Sequence, residues 1–194
     1  MYKIFGFYKF KKIKNIKLLK KNLKNFIEEE QVRGTIIISI EGVNGTISCN
    51  PTKYKKVKNK ILNLLNIRKL DNENISYYKY QAFKKGKIKI KKEVVPIGMK
   101  LNKIVTKNKI EPKDWNKFIL KKETVLIDTR KNFEFKVGTF KGSINPELNN
   151  FRDFPRYFKT LKKNQNIGMF CTGGIRCEKA SAYLKKKVLK MFTN

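Results

Sequence analysis

A change of hydrophobic period along the chain constrains its fold more than any other feature. Residues 2–9 read as an apolar and aromatic strand. Ile13, Ile16, Leu19, Leu23, Phe26 and Ile27 then recur at spacings of three and four, which predicts an amphipathic helix over 13–31. Gly34 precedes Thr35-Ile36-Ile37-Ile38-Ser39-Ile40, a buried β run. Gly42-Val43-Asn44-Gly45 carries turn chemistry, after which Thr46-Ile47-Ser48-Cys49 resumes an extended pattern. Pro51 opens a second helical pattern through Val57, Ile61, Leu64 and Leu65, and Ile75 to Phe83 is strand-like. The order is βαββαβ.

The pattern then changes. Lys84 to Lys109 is basic and weakly periodic, with Gly86, Pro96 and Gly98, and reads as a β ribbon and linker. Pro112 to Leu120 suits a short helix with Pro in its first turn. Thr124-Val125-Leu126-Ile127 is a buried strand ending at Asp128, Ile144-Asn145-Pro146 a short strand and turn, and Phe151 to Leu161 helical in part. Ile167-Gly168-Met169-Phe170 is another buried strand, and a helix follows from Cys177 to Lys187. Strands alternating with helices imply a parallel sheet. The fold class read from these periods is α+β followed by α/β. A ferredoxin- or acylphosphatase-like βαββαβ unit spans 1–92, a basic linker 93–109, and a second, parallel-sheet domain 110–194.

Composition narrows the chemistry. The chain has no histidine, so Ser-His and Cys-His dyads, histidine general bases and histidine metal ligands are excluded. Lys and Arg number 47 against 15 Asp and Glu, a formal net charge of +32, which suits a polyanion such as nucleic acid. Drift of a genome toward A- and T-rich codons would produce the same lysines. The charge is therefore compatible with RNA binding without establishing it. The lysines at 11, 12, 14, 17, 20 and 21 equally suit a solvated helix face. Tyr77, Tyr78, Tyr80 and Phe83, interleaved with lysines, are the candidates for RNA contact, with strand packing as the alternative. No run of about 18 apolar residues is present, and the first residues lack a signal-peptide core, so a cytoplasmic location without membrane insertion is expected.

Three cysteines, Cys49, Cys171 and Cys177, are too few and odd in number for a disulfide framework, but leave room for a reactive thiol. Cys171 falls at the carboxyl end of a strand and is followed by Thr172-Gly173-Gly174-Ile175-Arg176 and a helix start. That end of a parallel sheet is where sites form. Glycines let the loop curl so that successive N–H groups point at the sulfur, and the helix dipole and Arg176 add positive potential. All three favour thiolate and lower the thiol pKa from about 8.5. The alternative, a small buried hydrophobe at a strand end, leaves the paired glycines and the arginine unexplained. Cys177 is either a resolving thiol or a packing residue at the helix start, and Cys49 ends an apolar strand and reads as inert.

The segment Cys171-Thr172-Gly173-Gly174-Ile175-Arg176-Cys177-Glu178-Lys179-Ala180-Ser181 resembles the active-site loop of the rhodanese superfamily. Upstream, Ile127-Asp128-Thr129-Arg130, Phe133 to Phe140 and Gly142-Ser143-Ile144-Asn145-Pro146 resemble the first half of a rhodanese domain. Glu41-Gly42-Val43-Asn44-Gly45-Thr46-Ile47-Ser48 resembles the N-terminal domain of one rhodanese-containing group, the tRNA uridine hydroxylase family. The resemblance implies oxygen-dependent conversion of the wobble uridine of certain tRNAs to 5-hydroxyuridine, with molecular oxygen as co-substrate and tRNA as partner. It implies that Cys171 is the catalytic, persulfide-forming cysteine, its charge held by Arg176 and the loop of Thr172, Gly173, Gly174 and Ile175. It implies a structural ion pair between Asp128 and Arg130. No metal or organic cofactor can be placed on these residues.

Three other uses of the loop stay open. A plain sulfurtransferase would stop at the persulfide. A cysteine phosphatase would bind phosphate, although the four residues between Cys171 and Arg176 are one fewer than its signature has. A basic RNA-binding module would use no thiol at all. The C-terminal end carries a further expectation. A rhodanese domain continues with another strand, whereas this chain reaches Asn194 soon after the helix, so the domain is expected to be incomplete, with an exposed sheet edge. With A- and T-rich codons, Val188 to Thr193 shifted by one added nucleotide would read Gly-Phe-Lys-Asn-Val-Tyr. A frameshift beside Lys185-Lys186-Lys187 is therefore expected, which the gene sequence would test.

Overall fold

The two hydrophobic periods become two sheets in the computed structural model of the chain, which describes residues 1–98, 109–161 and 165–191, with side chains through 186. The first sheet lies in a unit spanning Met1–Val94, the second in a unit spanning Val95–Asn194. In the first unit the chain runs β1 (Tyr2–Phe10), α1 (Ile16–Glu29), β2 (Arg33–Ser39), β3 (Gly42–Cys49), α2 (Tyr54–Leu65), β4 (Asn72–Tyr78) and β5 (Gly86–Ile90). The spatial order is β4-β1-β3-β2-β5. The three pairings β4·β1, β1·β3 and β3·β2 are antiparallel, as a split βαβ arrangement requires, and β5 joins β2 in parallel at the far edge.

Strand alternation decides where the core lies. Phe5, Phe7, Ile36, Ile38, Val43 and Ile47 all project to one face and meet Leu19, Leu23, Phe26 and Ile27 of α1 and Val57, Ile61 and Leu65 of α2. Each such fully buried side chain contributes roughly 1.5–3 kcal/mol relative to exposure. Both helices therefore cover the same face of the sheet.

Several boundaries move from their sequence expectation, each for a local reason. Helix α1 starts at Ile16 rather than 13, because the Asn15 side chain accepts the Leu18 N–H at 3.0 Å and caps it there. It ends at Glu29 rather than 31, and Gln31 turns the chain with φ 56°. The segment Gly42–Gly45 is not a turn but the first half of β3. Its glycines answer to close approach: a Cβ on Gly42 (φ 148°) would lie 2.0 Å from the Lys9 carbonyl oxygen, and one on Gly45 would lie 2.8 Å from the Phe7 ring. Strand β4 spans 72–78 instead of 75–83, leaving Tyr80 and Phe83 beyond it. Among the described residues of the basic stretch after Lys84, Gly86–Ile90 is the parallel edge strand β5 rather than one arm of a ribbon.

In the second unit the order is α3 (Pro112–Ile119), β6 (Thr124–Asp128), α4 (Asn132–Val137), a 3-10 turn over Phe151–Asp153 leading into α5 (Phe154–Phe158), β7 (Asn166–Phe170) and α6 (Ile175–Met191). Strands β6 and β7 pair in parallel, from Thr124 opposite Asn166 to Asp128 opposite Phe170. Ile144 adds a single bridge to the other side of β6 rather than a strand of its own. Leu126, Ile127, Phe154, Ile175, Ala180 and Tyr183 are buried. Lys179 is fully buried as well, and its ammonium donates to the Val95 carbonyl at 2.6 Å. The expectation of a frameshifted end falls on residues 187–194, whose side chains lie outside the described residues. The linker positions 99–108 also lie outside them. Among the described residues no helix is long and apolar enough to cross a membrane.

Candidate active site

Strand β7 delivers Cys171 at its carboxyl end, beside Asp128 at the same end of β6. Helix α6 begins at Ile175, two residues earlier than its hydrophobic pattern indicates, so Ile175 and Arg176 occupy its first turn rather than the loop. The turn between is Cys171 to Gly174. Gly174 has φ 84°, a conformation open to glycine, and its N–H donates to Cys171 Sγ at 3.0 Å. The N–H groups of Gly173, Arg176 and Cys177 also act on the sulfur.

Electrostatics follow from this geometry. The thiol of Cys177 donates to Cys171 and is the largest influence lowering its pKa. Burial opposes it, and the amides of Cys177, Gly173 and Arg176 add to it, bringing Cys171 down to about 5. The same hydrogen bond, together with burial and the neighbouring charge, pushes the Cys177 thiol well up. The proton of the pair therefore resides on Cys177, whose sulfur also lies 3.6 Å from Thr129 Oγ1. Cys177, read from the sequence as a resolving thiol or a packing residue at the helix start, sits in the first turns of α6 and donates a hydrogen bond to Cys171.

The Arg176 guanidinium pairs with Glu134 at 3.2 Å, and the Arg176 backbone N–H acts on the sulfur. Glu134 also accepts the Thr172 hydroxyl at 2.6 Å and the Lys131 N–H at 3.1 Å. Burial would raise the Glu134 pKa, but Thr172, the Lys131 amide and Arg176 together hold it below the usual carboxylate range. Sequence reasoning did not single out Glu134. The signal available was its position three residues after Lys131, where a carboxylate caps a short helix.

Asp128 and Arg130 form the expected ion pair. Nε of Arg130 lies 2.9 Å from one carboxylate oxygen and Nη2 lies 2.7 Å from the other. Asp128 is almost wholly buried. Burial would raise its pKa, yet the Arg130 side chain and amide and the Thr139 hydroxyl outweigh it and lower the value. Arg130 Nη2 also donates to the Gly138 carbonyl at 2.5 Å, and the guanidinium faces the Phe170 ring at 5.6 Å. Arg130, Thr139, Phe140, Phe170, Cys171 and Thr172 line a cleft of about 350 Å³. The structure thus brings Cys171, Thr172, Gly173, Gly174, Arg176, Cys177, Asp128 and Arg130 together. The Ile175 side chain turns into the core, and Cys49 is buried in the first unit, its thiol pushed up by burial. No three Cys, Asp or Glu side chains converge as metal ligands among the described residues.

A thiolate in a strand–loop–helix anion nest on a parallel sheet, preceded in the chain by an α+β unit, defines a rhodanese-like protein with an acylphosphatase-like N-terminal domain. Family models agree: residues 2–94 match the UPF0176 acylphosphatase like domain and residues 111–194 the Rhodanese-like domain. Three curated relatives carry the name tRNA uridine(34) hydroxylase. That of Pelagibacter ubique (strain HTCC1062) is 53% identical over 191 residues, 98% of this chain and 64% of its own length. That of Prochlorococcus marinus (strain MIT 9515) is 40% identical over 97% of this chain and 64% of its length. That of Wolbachia sp. subsp. Brugia malayi (strain TRS) is 38% identical over 92% of this chain and 67% of its length. The chain belongs to the tRNA uridine(34) hydroxylase family, and it spans a little under two thirds of the length of the first two relatives.

Proposed function

We propose that this chain hydroxylates the wobble uridine of tRNA at C5, with molecular oxygen as co-substrate and Cys171 as the reacting thiolate. The observation that carries the reading is the sulfur itself: with a pKa near 5 it is almost wholly thiolate at neutral pH, and the Gly174 N–H at 3.0 Å marks where negative charge is held. A thiolate so placed attacks the sulfane sulfur of a persulfide or thiosulfonate donor: the new S–S bond forms on Cys171, the donor's own bond to that sulfur breaks, its thiolate or sulfite leaves with the electron pair, and the terminal sulfur of the resulting persulfide occupies the same nest of amides. Cys177 holds the proton and donates its hydrogen bond to the charged sulfur.

The other residues position. Glu134 fixes Thr172 and Arg176 and so sets the shape of the loop. Asp128 fixes Arg130, which together with Phe140 and Phe170 gives the cleft a cation and ring faces suited to a pyrimidine nucleotide. The overall balance replaces C5–H of uridine by C5–OH. One atom of dioxygen enters the base and the other leaves as water, with two electrons drawn from a reductant and two protons from solvent. The substrate places the reaction in the cytoplasm.

A sulfurtransferase reading shares the persulfide and is favoured by the same nest. The two are separated by mass spectrometry of tRNA from cells lacking the gene, complemented with wild type or Cys171→Ser. The hydroxylase reading expects 5-hydroxyuridine to vanish in the deletion and return only with wild type. Unchanged 5-hydroxyuridine with altered tRNA thiolation would favour sulfur transfer, and equal complementation by Cys171→Ser would leave the thiol without a role.

A further inference from the structure

We propose that the helix-free face of the first sheet is a platform for a single-stranded stretch of RNA, with Tyr78 and Tyr80 as the stacking residues. The proposal rests on the tRNA reading above and names the surface that reading leaves unassigned. Both helices of the unit pack on the face that carries Phe5, Ile36 and Ile47. The alternate residues of the same strands project to the opposite face.

The register identifies them. Tyr78 pairs with Tyr2 across β4 and β1, while Thr35 of β2 lies between Thr46 of β3 and Lys87 of β5. Tyr78 is 54% exposed, and Tyr80, just past the strand, is 61% exposed with its ring 6.2 Å from that of Tyr78. Tyr77 belongs elsewhere: it is opposite Lys3, whose ammonium lies 5.3 Å from its ring, on the helix-bearing side. The exposed tyrosines among the described residues all lie along this one edge.

Lysines are spread over the whole chain and select no face; the aromatics do. What the charge adds is complementarity. The five strands contain one acidic residue, Glu73, which is opposite Phe7 on the helix side and paired with Lys58. The open face carries exposed Arg33, Lys87 and Lys89 on β2 and β5, at the edge opposite the rings of β4, with the exposed Thr46 and Ser76 hydroxyls on the strands between and beneath the rings. Tyr8, Ser39 and Ser48 of this face are buried, and its exposed part supplies base stacking on rings, cations for phosphates and hydroxyls for the ribose, the three elements with which a sheet surface holds single-stranded RNA.

The test measures affinity of the full chain, as Cys171→Ser to exclude turnover, for a tRNA transcript and for a single-stranded oligoribonucleotide. Tyr78→Ala and Tyr80→Ala are each expected to weaken binding roughly 5- to 100-fold, with the phenylalanine variants near wild type. Lys87→Gln with Lys89→Gln is expected to flatten the salt dependence by about 1.4 log units per log unit of salt. Lys20→Gln with Lys21→Gln, on the solvent side of α1, is expected to do less than either tyrosine. Unchanged affinity in the tyrosine variants, or equal losses from the α1 lysines, overturns the platform while leaving the tRNA reading intact. Absence of RNA binding by the parent protein overturns it too, and the 5-hydroxyuridine assay then judges the hydroxylase reading separately.

Discussion

Gly174 and Cys177 control the reactive sulfur from opposite sides. Gly174, at φ 84°, aims its N–H at Cys171, and a side chain at that φ strains the backbone by roughly 1–2 kcal/mol. Gly174→Ala is therefore expected to lower the unfolding midpoint and raise the pKa of Cys171 together. Cys177 supplies the strongest hydrogen bond to the thiolate, so its removal tests that contribution alone. Cys177→Ala is expected to raise the pH at which Cys171 alkylates at half its maximal rate, and Cys177→Ser, which keeps a donor, to raise it less. A pH profile unchanged in both variants would deny the thiol pair. The sign for stability follows from the same shift. A thiol pKa depressed on folding adds stability above its unfolded value of about 8.5, and this is lost as pH falls toward 5. The stability gap between wild type and Cys171→Ser should accordingly widen from pH 5 to pH 9 in urea titrations.

At the scale of elements, the short helix α4 matters because Glu134 joins it to both ends of the reactive loop. Glu134→Ala leaves the Thr172 hydroxyl, the Arg176 guanidinium and the Lys131 N–H without their acceptor. A loss of about 1–3 kcal/mol is expected, read from chemical denaturation, with Glu134→Gln losing less. In the first unit, Leu23 lies 1% exposed between helix and sheet, and Leu23→Ala is expected to cost about 2–5 kcal/mol. These two sites also mark what could be read from the sequence. Leu23 belongs to a run at helical spacing, and period alone identified its helix and its buried face. The strand–Cys171–glycine–helix succession was legible for the same reason, being local chemistry. Glu134 was not, because its partners lie 38 and 42 residues away and no local pattern joins them. Gly42 and Gly45 misled: glycine serves turns and close strand approach alike, and only the Lys9 carbonyl and the Phe7 ring decide between them. Strand β5 falls inside the stretch expected to be β ribbon, but its pairing was missed, because its parallel partner β2 is some fifty residues earlier.

For the whole molecule, two kinds of positive charge have to be kept apart. The net charge of +32 is a long-range field that speeds encounter with any polyanion and weakens with salt. The amides around Cys171 are a short-range field whose effect on a partly buried sulfur is screened far less. Raising ionic strength should therefore reduce RNA affinity steeply while leaving the titration of Cys171 nearly where it is, a contrast that fluorescence binding and thiol alkylation can measure on one sample. The chemistry of the second unit depends on that sulfur. The most direct measurement is the rate of Cys171 alkylation by iodoacetamide in the folded chain, followed peptide by peptide from pH 4 to pH 10. A half-maximal rate near pH 5, with Cys49 inert throughout, is the predicted result. A midpoint near 8.5, or a Cys171 no faster than Cys49, would contradict it.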